Sequence, residues 1–133
     1  MASEYKNVYE NVIKTNDDAL WEDVEHQVGL IKESDPVILN ICKNLLYARK
    51  LSERKNIPQI FLNQLADLLE KSDFDEDKLG EVLKLIRLYE FTQRLEYLMQ
   101  ETANLTEGFM PVPRKEDKTA RAMLRIITDY IKH

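Results

Sequence analysis

The chain has 133 residues, of which 44% are hydrophobic and 32% charged, and its formal net charge is −5. This length suits one domain with a single core, and we predict one α-helical domain over residues 1–133. The sequence contains no apolar run of the roughly 18 residues that a membrane-spanning helix needs, and the polar, acidic residues 1–5 argue against a secretory signal. Because the single cysteine, Cys42, cannot form an internal disulfide, we expect a reducing cytoplasmic or nuclear compartment.

Charge alternates along the chain. Residues 1–35 carry nine acidic and three basic side chains, and residues 36–71 carry three acidic and six basic ones. Residues 72–113 are acidic again, and the last segment, residues 114–133, is basic. Such alternation is typical of neighbouring helices that complement one another, whereas an anionic partner for a basic segment is the alternative.

Apolar residues recur at helical spacing from the start of the chain. Glycine is rare, and no Asn-Gly or Asp-Gly pair joins two alternating apolar runs, which disfavours β-strands. The helical period predicts a first helix over residues 5–13 and a second over residues 17–32. Asp35 can cap a helix whose first position is Pro36, and this third helix is broadly apolar, so we expect it to be the most buried one. Another helix follows residues 56–59 and continues to about Lys71.

The second half of the chain predicts one long helix, a strap and a final helix. The long helix spans residues 76–105, but its early and late apolar stripes point in different directions. The helix must therefore bend, or a second surface must pack against it. Gly108 can end it in a left-handed cap, residues 109–113 form an extended apolar strap, and residues 120–131 carry the last helical stripe. The expected fold is a compact all-α bundle of about six helices.

The late stripe of the long helix is the candidate partner-binding surface. Its spacing resembles a coiled-coil seam, yet it lasts little more than one heptad and cannot pair alone. If exposed, it would form an apolar patch of the size that marks interfaces. We expect either the strap or a second copy of the chain to cover it, and a symmetric dimer is slightly favoured. The candidate residues are Leu88, Phe91, Leu95, Leu98, Phe109 and Met110.

The sequence motifs that could indicate a metal or nucleotide site are incomplete. Residues 73–77 match the opening of a calcium loop, but Lys78 replaces the required glycine and Lys84 the required glutamate. These acids are better explained as a cap for the following helix. Glu22 lies one turn before His26 and could share an ion with it, but one such pair does not make a metal site, and the three glycines are too far apart to cradle a phosphate. We therefore expect no catalytic residues, no metal and no cofactor.

Function is predicted from the helical surfaces. The preferred function is a non-catalytic protein–protein interaction module, an adaptor, regulator or complex subunit that binds another protein or a second copy of itself. The alternative is nucleic-acid binding through a basic stripe on the last helix, where cations recur at i, i+4, i+7 and i+11. That stripe consists of Arg114, Lys118, Arg121 and Arg125. An enzyme assembled from scattered acidic and aromatic residues is the third hypothesis, and no membrane partner is expected.

Overall fold

The computed structural model describes residues 18–29 and 35–129. The compact all-α fold predicted from the sequence is confirmed. The helix expected over residues 5–13 lies outside the described residues. No helix in the described ranges is long and apolar enough to cross a membrane. The helices are α1 (Asp18–Gly29), α2 (Pro36–Glu53), α3 (Gln59–Lys71), α4 (Glu76–Leu85), α5 (Tyr89–Ala103) and α6 (Lys118–Leu124), with a short 3-10 helix at Glu107–Phe109.

Helix α2 lies at the centre, as the sequence predicts. Asp35 Oδ1 accepts a hydrogen bond from the Val37 amide at 2.9 Å, and Pro36 occupies the first turn, where its missing N–H costs nothing. The helix is buried along most of residues 38–51. Because its apolar residues cover more than one face, neighbouring helices pack on several sides of it.

Acidic and basic segments complement each other where α1 packs on α2. Glu25 of α1 forms an ion pair with Lys43 of α2, and Asp23 forms another with Lys50. Lys43 is almost fully buried, so its charge requires this carboxylate partner. The predicted complementarity of neighbouring charged segments is confirmed at this interface.

The expected long helix over residues 76–105 is wrong, because the chain breaks between α4 and α5. Arg87 adopts a left-handed conformation with φ 59°. The Leu88 amide donates to the Leu83 carbonyl at 2.8 Å, and the Arg87 amide donates to the Lys84 carbonyl at 3.2 Å. These two bonds form a Schellman motif, which ends α4 and redirects the chain. The break lets both apolar stripes reach the core although they point in different directions.

Asn104, and not Gly108, ends α5. Asn104 is left-handed with φ 58°, a conformation that asparagine tolerates better than most residues. Gly108 lies within the 3-10 helix and has no positive φ. The predicted glycine cap is therefore wrong by four positions, because an asparagine earlier in the chain already supplies the cap.

The last helix is shorter than predicted, and the residues after it form a short strand that pairs with another short strand. Helix α6 ends at Leu124, and β2 (Ile127–Thr128) pairs in parallel with β1 (Ile57–Pro58). The Ile57 amide donates to the Ile126 carbonyl at 3.0 Å. The expectations of no strand and of a helical stripe over residues 120–131 are wrong between residues 125 and 129, because the backbone between α2 and α3 offers this segment a hydrogen-bonding partner, and residues 130–131 lie outside the described residues.

Candidate functional site

The late apolar stripe belongs to the core of the single chain. Leu88, Leu95 and Leu98 have no exposed surface, and Phe91 is partly buried against the core. Met110, from the strap, is also buried. A dimer along this stripe would need an exposed apolar patch, and these three leucines do not provide one.

The strap, residues 109–113, is held on α5 by polar contacts as well as by apolar packing. The Val112 amide donates to Glu96 Oε1 at 3.3 Å. Immediately after the strap, the Lys115 amide donates to the Gln93 carbonyl at 3.0 Å. These contacts, together with the burial of Val112, give the strap a defined position along α5.

Arg94 links α5 to the start of α6. Its guanidinium contacts Asp117 at 3.0 Å and Glu90 at 2.9 Å. Asp117 also accepts from the Ala120 amide at 2.8 Å, and this bond, followed by the hydrogen bond and charge of Arg94, lowers the pKa of the Asp117 carboxyl. Asp117 is therefore both the N-cap of α6 and an ion-pair partner of α5.

Glu96 is a fully buried carboxyl group beneath the strap. Its Oε1 accepts from Val112, whereas its Oε2 has no hydrogen-bond partner among the described residues. Burial raises the pKa of Glu96 to about 8, the Val112 amide opposes this shift, and the negative charge of Glu76 adds to it. At neutral pH, Glu96 is thus mostly protonated and neutral, which lets it remain in an apolar environment.

A cavity of about 510 Å³ opens beside the strap. Its walls are strap residues 110–113 together with Glu76, Glu107 and Arg114. Phe109 lies in the chain between two wall residues, and 46% of its surface is exposed. We call this space the strap cavity. Among the described wall residues, the two carboxylates, Glu76 and Glu107, outnumber the one cation, Arg114, which lies 3.7 Å from a further acid, Glu116.

The sequence grouped Phe109 and Met110 as one binding surface, but the structure separates their environments. The Met110 side chain is buried, with 9% of the residue exposed, whereas Phe109 is about half exposed. The two residues come from the turn that leaves the 3-10 helix, where the chain changes direction. Of the six candidate partner-binding residues, Phe109 is the one that stays largely exposed, whereas Met110 is the one that lines the strap cavity.

The predicted basic stripe is not continuous. Helix α6 has seven residues and includes only Lys118 and Arg121 from the stripe. Arg114 precedes the helix and Arg125 follows it, so a single helical face does not carry the four cations. Arg121 also lies 3.6 Å from Glu116, which offsets its charge. The single helical stripe expected over residues 114–125 is therefore wrong, because the helix is too short, whereas phosphate binding by these cations stays a prediction.

The acidic segment before α4 has a capping role. Asp75 Oδ1 accepts from the Lys78 amide at 3.1 Å, which confirms the predicted cap. Within residues 18–29 and 35–129, no three or more His, Cys, Asp or Glu side chains are grouped so that they could hold a metal ion.

Glu96 was missed from the sequence, although a signal was present. It lies four residues after Thr92 and three before Met99, both of which are buried, so it occupies a core position of α5. An acid at such a position indicates either a partner or a raised pKa.

Neither a protein-family profile, nor a curated protein, nor a solved structure matches the chain. Function is therefore inferred from the geometry and charge of this chain.

Proposed function

We propose that the protein is a non-catalytic interaction module that binds a segment of another protein carrying basic and apolar side chains. The observation that supports this proposal is the half-exposed Phe109, which directly precedes Met110 in the wall of the strap cavity, a wall that also carries Glu76 and Glu107. An aromatic anchor next to a pocket is the usual centre of a protein interface. The cavity volume of about 510 Å³ is within the range of ordinary ligand pockets, and it can accept one or two side chains.

Charge defines the class of partner. Glu76 begins α4 and is followed by Asp77, while Asp75 precedes it, so acidic side chains are concentrated at this end of the helix. Glu107 adds a further carboxylate from the other wall. A lysine or arginine of the partner would face these acids, and an apolar neighbour would pack on Phe109.

The strap is suited to binding because it is already held in place. Glu96 anchors it from α5, Gln93 of the same helix holds Lys115 just after it, and Pro111 and Pro113 restrict its backbone. A surface that is ordered before binding loses less conformational entropy when the partner arrives. The proposed compartment remains the cytoplasm or nucleus, in keeping with the buried thiol of Cys42.

Selection of peptides on the native protein tests this proposal. A phage library of random dodecapeptides should yield sequences that place Lys or Arg next to a large apolar residue. Affinities of the selected peptides are then measured by fluorescence anisotropy. We expect Phe109→Ser to weaken binding about tenfold or more, because a central aromatic anchor is removed. Glu107→Gln should weaken it less, and mainly at low salt.

Leu85→Ser is the matched control, since Leu85 is an 82% exposed apolar residue at the end of α4 remote from Glu76, whereas Phe109 directly precedes the wall residue Met110. Its peptide affinity should equal that of the unaltered protein. Equal losses in Phe109→Ser and Leu85→Ser, or a library without a basic and apolar consensus, would overturn the proposal. Self-association of the unaltered protein that Phe109→Ser abolishes would assign the surface to a second copy instead.

A further inference from the structure

A second cavity lies where α4 ends and α5 begins, and its charge is opposite to that of the strap cavity. Its volume is about 410 Å³. We call it the junction cavity. Three of its wall residues are cations that come from three separate segments: the end of α4, the connection, and the chain after the strap. Its walls are formed by Lys84, Arg87, Tyr89, Glu90, Gln93 and Lys115.

Among the described residues that line the junction cavity, the one acid is Glu90, and its negative charge is already compensated by cations. Glu90 accepts from Lys115 Nζ at 2.8 Å and from the Arg94 guanidinium at 2.9 Å. The hydrogen bond and charge of Lys115, followed by the charge of Arg94, lower the pKa of the Glu90 carboxyl. Glu90 is thus ionised and shared between two cations, so the cavity keeps an excess of positive charge in a chain of net charge −5.

The cations of the junction cavity are positioned by the fold. Lys84 Nζ lies 4.9 Å from the centre of the Tyr89 ring, which is within cation–π distance. The left-handed backbone of Arg87 is held by the Schellman motif, and its carbonyl accepts from Arg49 Nη1 at 3.3 Å, which brings a further cation near. These contacts fix the backbone of Arg87, and with it the point from which its side chain extends at the junction.

We propose that the junction cavity binds a small phosphate monoester. A phosphate dianion matches a site with several cations and one neutralised acid, since each oxygen can accept from a different donor. The ring of Tyr89 provides an apolar wall for the organic part of the ester. The positive end of α5, which begins at Tyr89, adds to the favourable potential. This site is separate from the strap cavity and does not depend on the proposed function.

Titration of the native, isotopically labelled protein with phenyl phosphate and with inorganic phosphate tests the proposal by NMR. The amide signals of residues 87–91 should shift and saturate, with phenyl phosphate binding more tightly because of the Tyr89 ring. Arg87→Gln should weaken binding about fivefold, which is the effect of one exposed charge. Glu90→Gln should strengthen binding, because it removes the acid that competes for Lys115. The spectrum of each variant shows directly whether it is folded.

Arg125→Gln is the control, since Arg125 is an exposed cation that does not line the junction cavity. It should leave the affinity unchanged. Shifts that spread over all exposed cations, or that persist equally in Arg87→Gln and Lys84→Gln, would overturn the proposal. Unchanged affinity in Glu90→Gln would also contradict it, because the cavity charge would then have no influence on binding.

Discussion

The two ends of α4 carry opposite charges, and each end borders a cavity. The helix has ten residues and is therefore about 15 Å long. Acids gather at its start, beside the strap cavity, whereas Lys84 and Arg87 lie at its end, beside the junction cavity. This arrangement of charges also interacts favourably with the helix dipole. The comparison shows that the charges that stabilise a short helix can at the same time create two surfaces with different ligand preferences.

The two regions also differ in the burial and the partners of their acidic side chains. Beneath the strap, Glu96 is buried, and its second oxygen lacks a hydrogen-bond partner in the described part of the chain. At the junction, Glu90 is exposed and paired with two cations. The strap region therefore depends on the protonation of one acid, whereas the junction depends on the balance of surface charges. Stability and binding should respond to pH and salt differently in the two regions.

The largest effect is expected at a fully buried position of α5. Leu95→Glu places a charge at a position with no exposed surface, and we expect the free energy of unfolding to fall by about 3–5 kcal/mol. Leu85→Glu is the matched variant at the exposed end of α4, and its effect should be within about 0.5 kcal/mol. Urea unfolding measures both. A folded and stable Leu95→Glu protein would show that α5 does not pack as described.

Glu96→Gln should be the next largest change, and it should depend on pH. The ordinary pKa of 4.5 is raised to about 8 in the folded protein, so between these values the folded state binds the extra proton. Stability therefore falls as pH rises through this range, and the loss is complete above about pH 8. The glutamine side chain of the variant would stay neutral and could still accept from the Val112 amide. We expect the variant to be about 1–3 kcal/mol more stable at pH 9 and nearly unchanged at pH 5.

Urea unfolding of both proteins at several pH values checks this expectation. An equal difference at pH 5 and pH 9 would contradict the raised pKa of Glu96. Glu90→Gln is the control, because Glu90 is exposed and its pKa is lowered by Lys115 and Arg94. Its effect on stability should not grow as pH rises from 5 to 9.

A smaller effect is expected at the link between α5 and α6. Asp117→Ala removes the N-cap of α6 together with the partner of Arg94, and it should lower the midpoint of thermal unfolding by about 3–8 °C. Asp117→Asn keeps an oxygen that can cap the helix and loses only the ion pair, so its midpoint should fall less. Thermal unfolding compares the two variants. Equal losses would show that the cap contributes little.

The smallest effect should come from the left-handed residue at the junction. Arg87→Gly removes the steric cost of φ 59°, and we expect a gain of about 0.5–1 kcal/mol in unfolding free energy. The same change removes a cation from the junction cavity, so phenyl phosphate should bind more weakly although the protein is more stable. A less stable Arg87→Gly protein in urea unfolding would contradict the Schellman geometry.

Sequence patterns predicted the elements whose signals are local. Asp35 and Pro36 indicated the start of α2, and the capping acids before α4 were recognised for the same reason. The break at Arg87 was missed because arginine does not signal a left-handed turn, even though the two diverging apolar stripes required a bend. The early end of α6 depends on pairing with residues 57–58, which are distant in the sequence.

The candidate sites were predicted in part, for a similar reason. The exposed Phe109 belongs to the surface expected from the sequence, whereas Leu88, Leu95 and Leu98 form part of the core. Periodicity identifies an apolar face but not what covers it. The junction cavity brings together residues as far apart as Lys84 and Lys115, so no local spacing could indicate it.

One NMR experiment tests whether the two cavities bind their ligands separately. The labelled protein is titrated with a selected basic and apolar peptide, and a second sample with phenyl phosphate. We expect the peptide to shift the amide signals of Phe109, Met110 and Val112, phenyl phosphate to shift those of residues 87–91, and neither ligand to displace the other. Both ligands shifting the same signals, or competing for one site, would contradict this expectation.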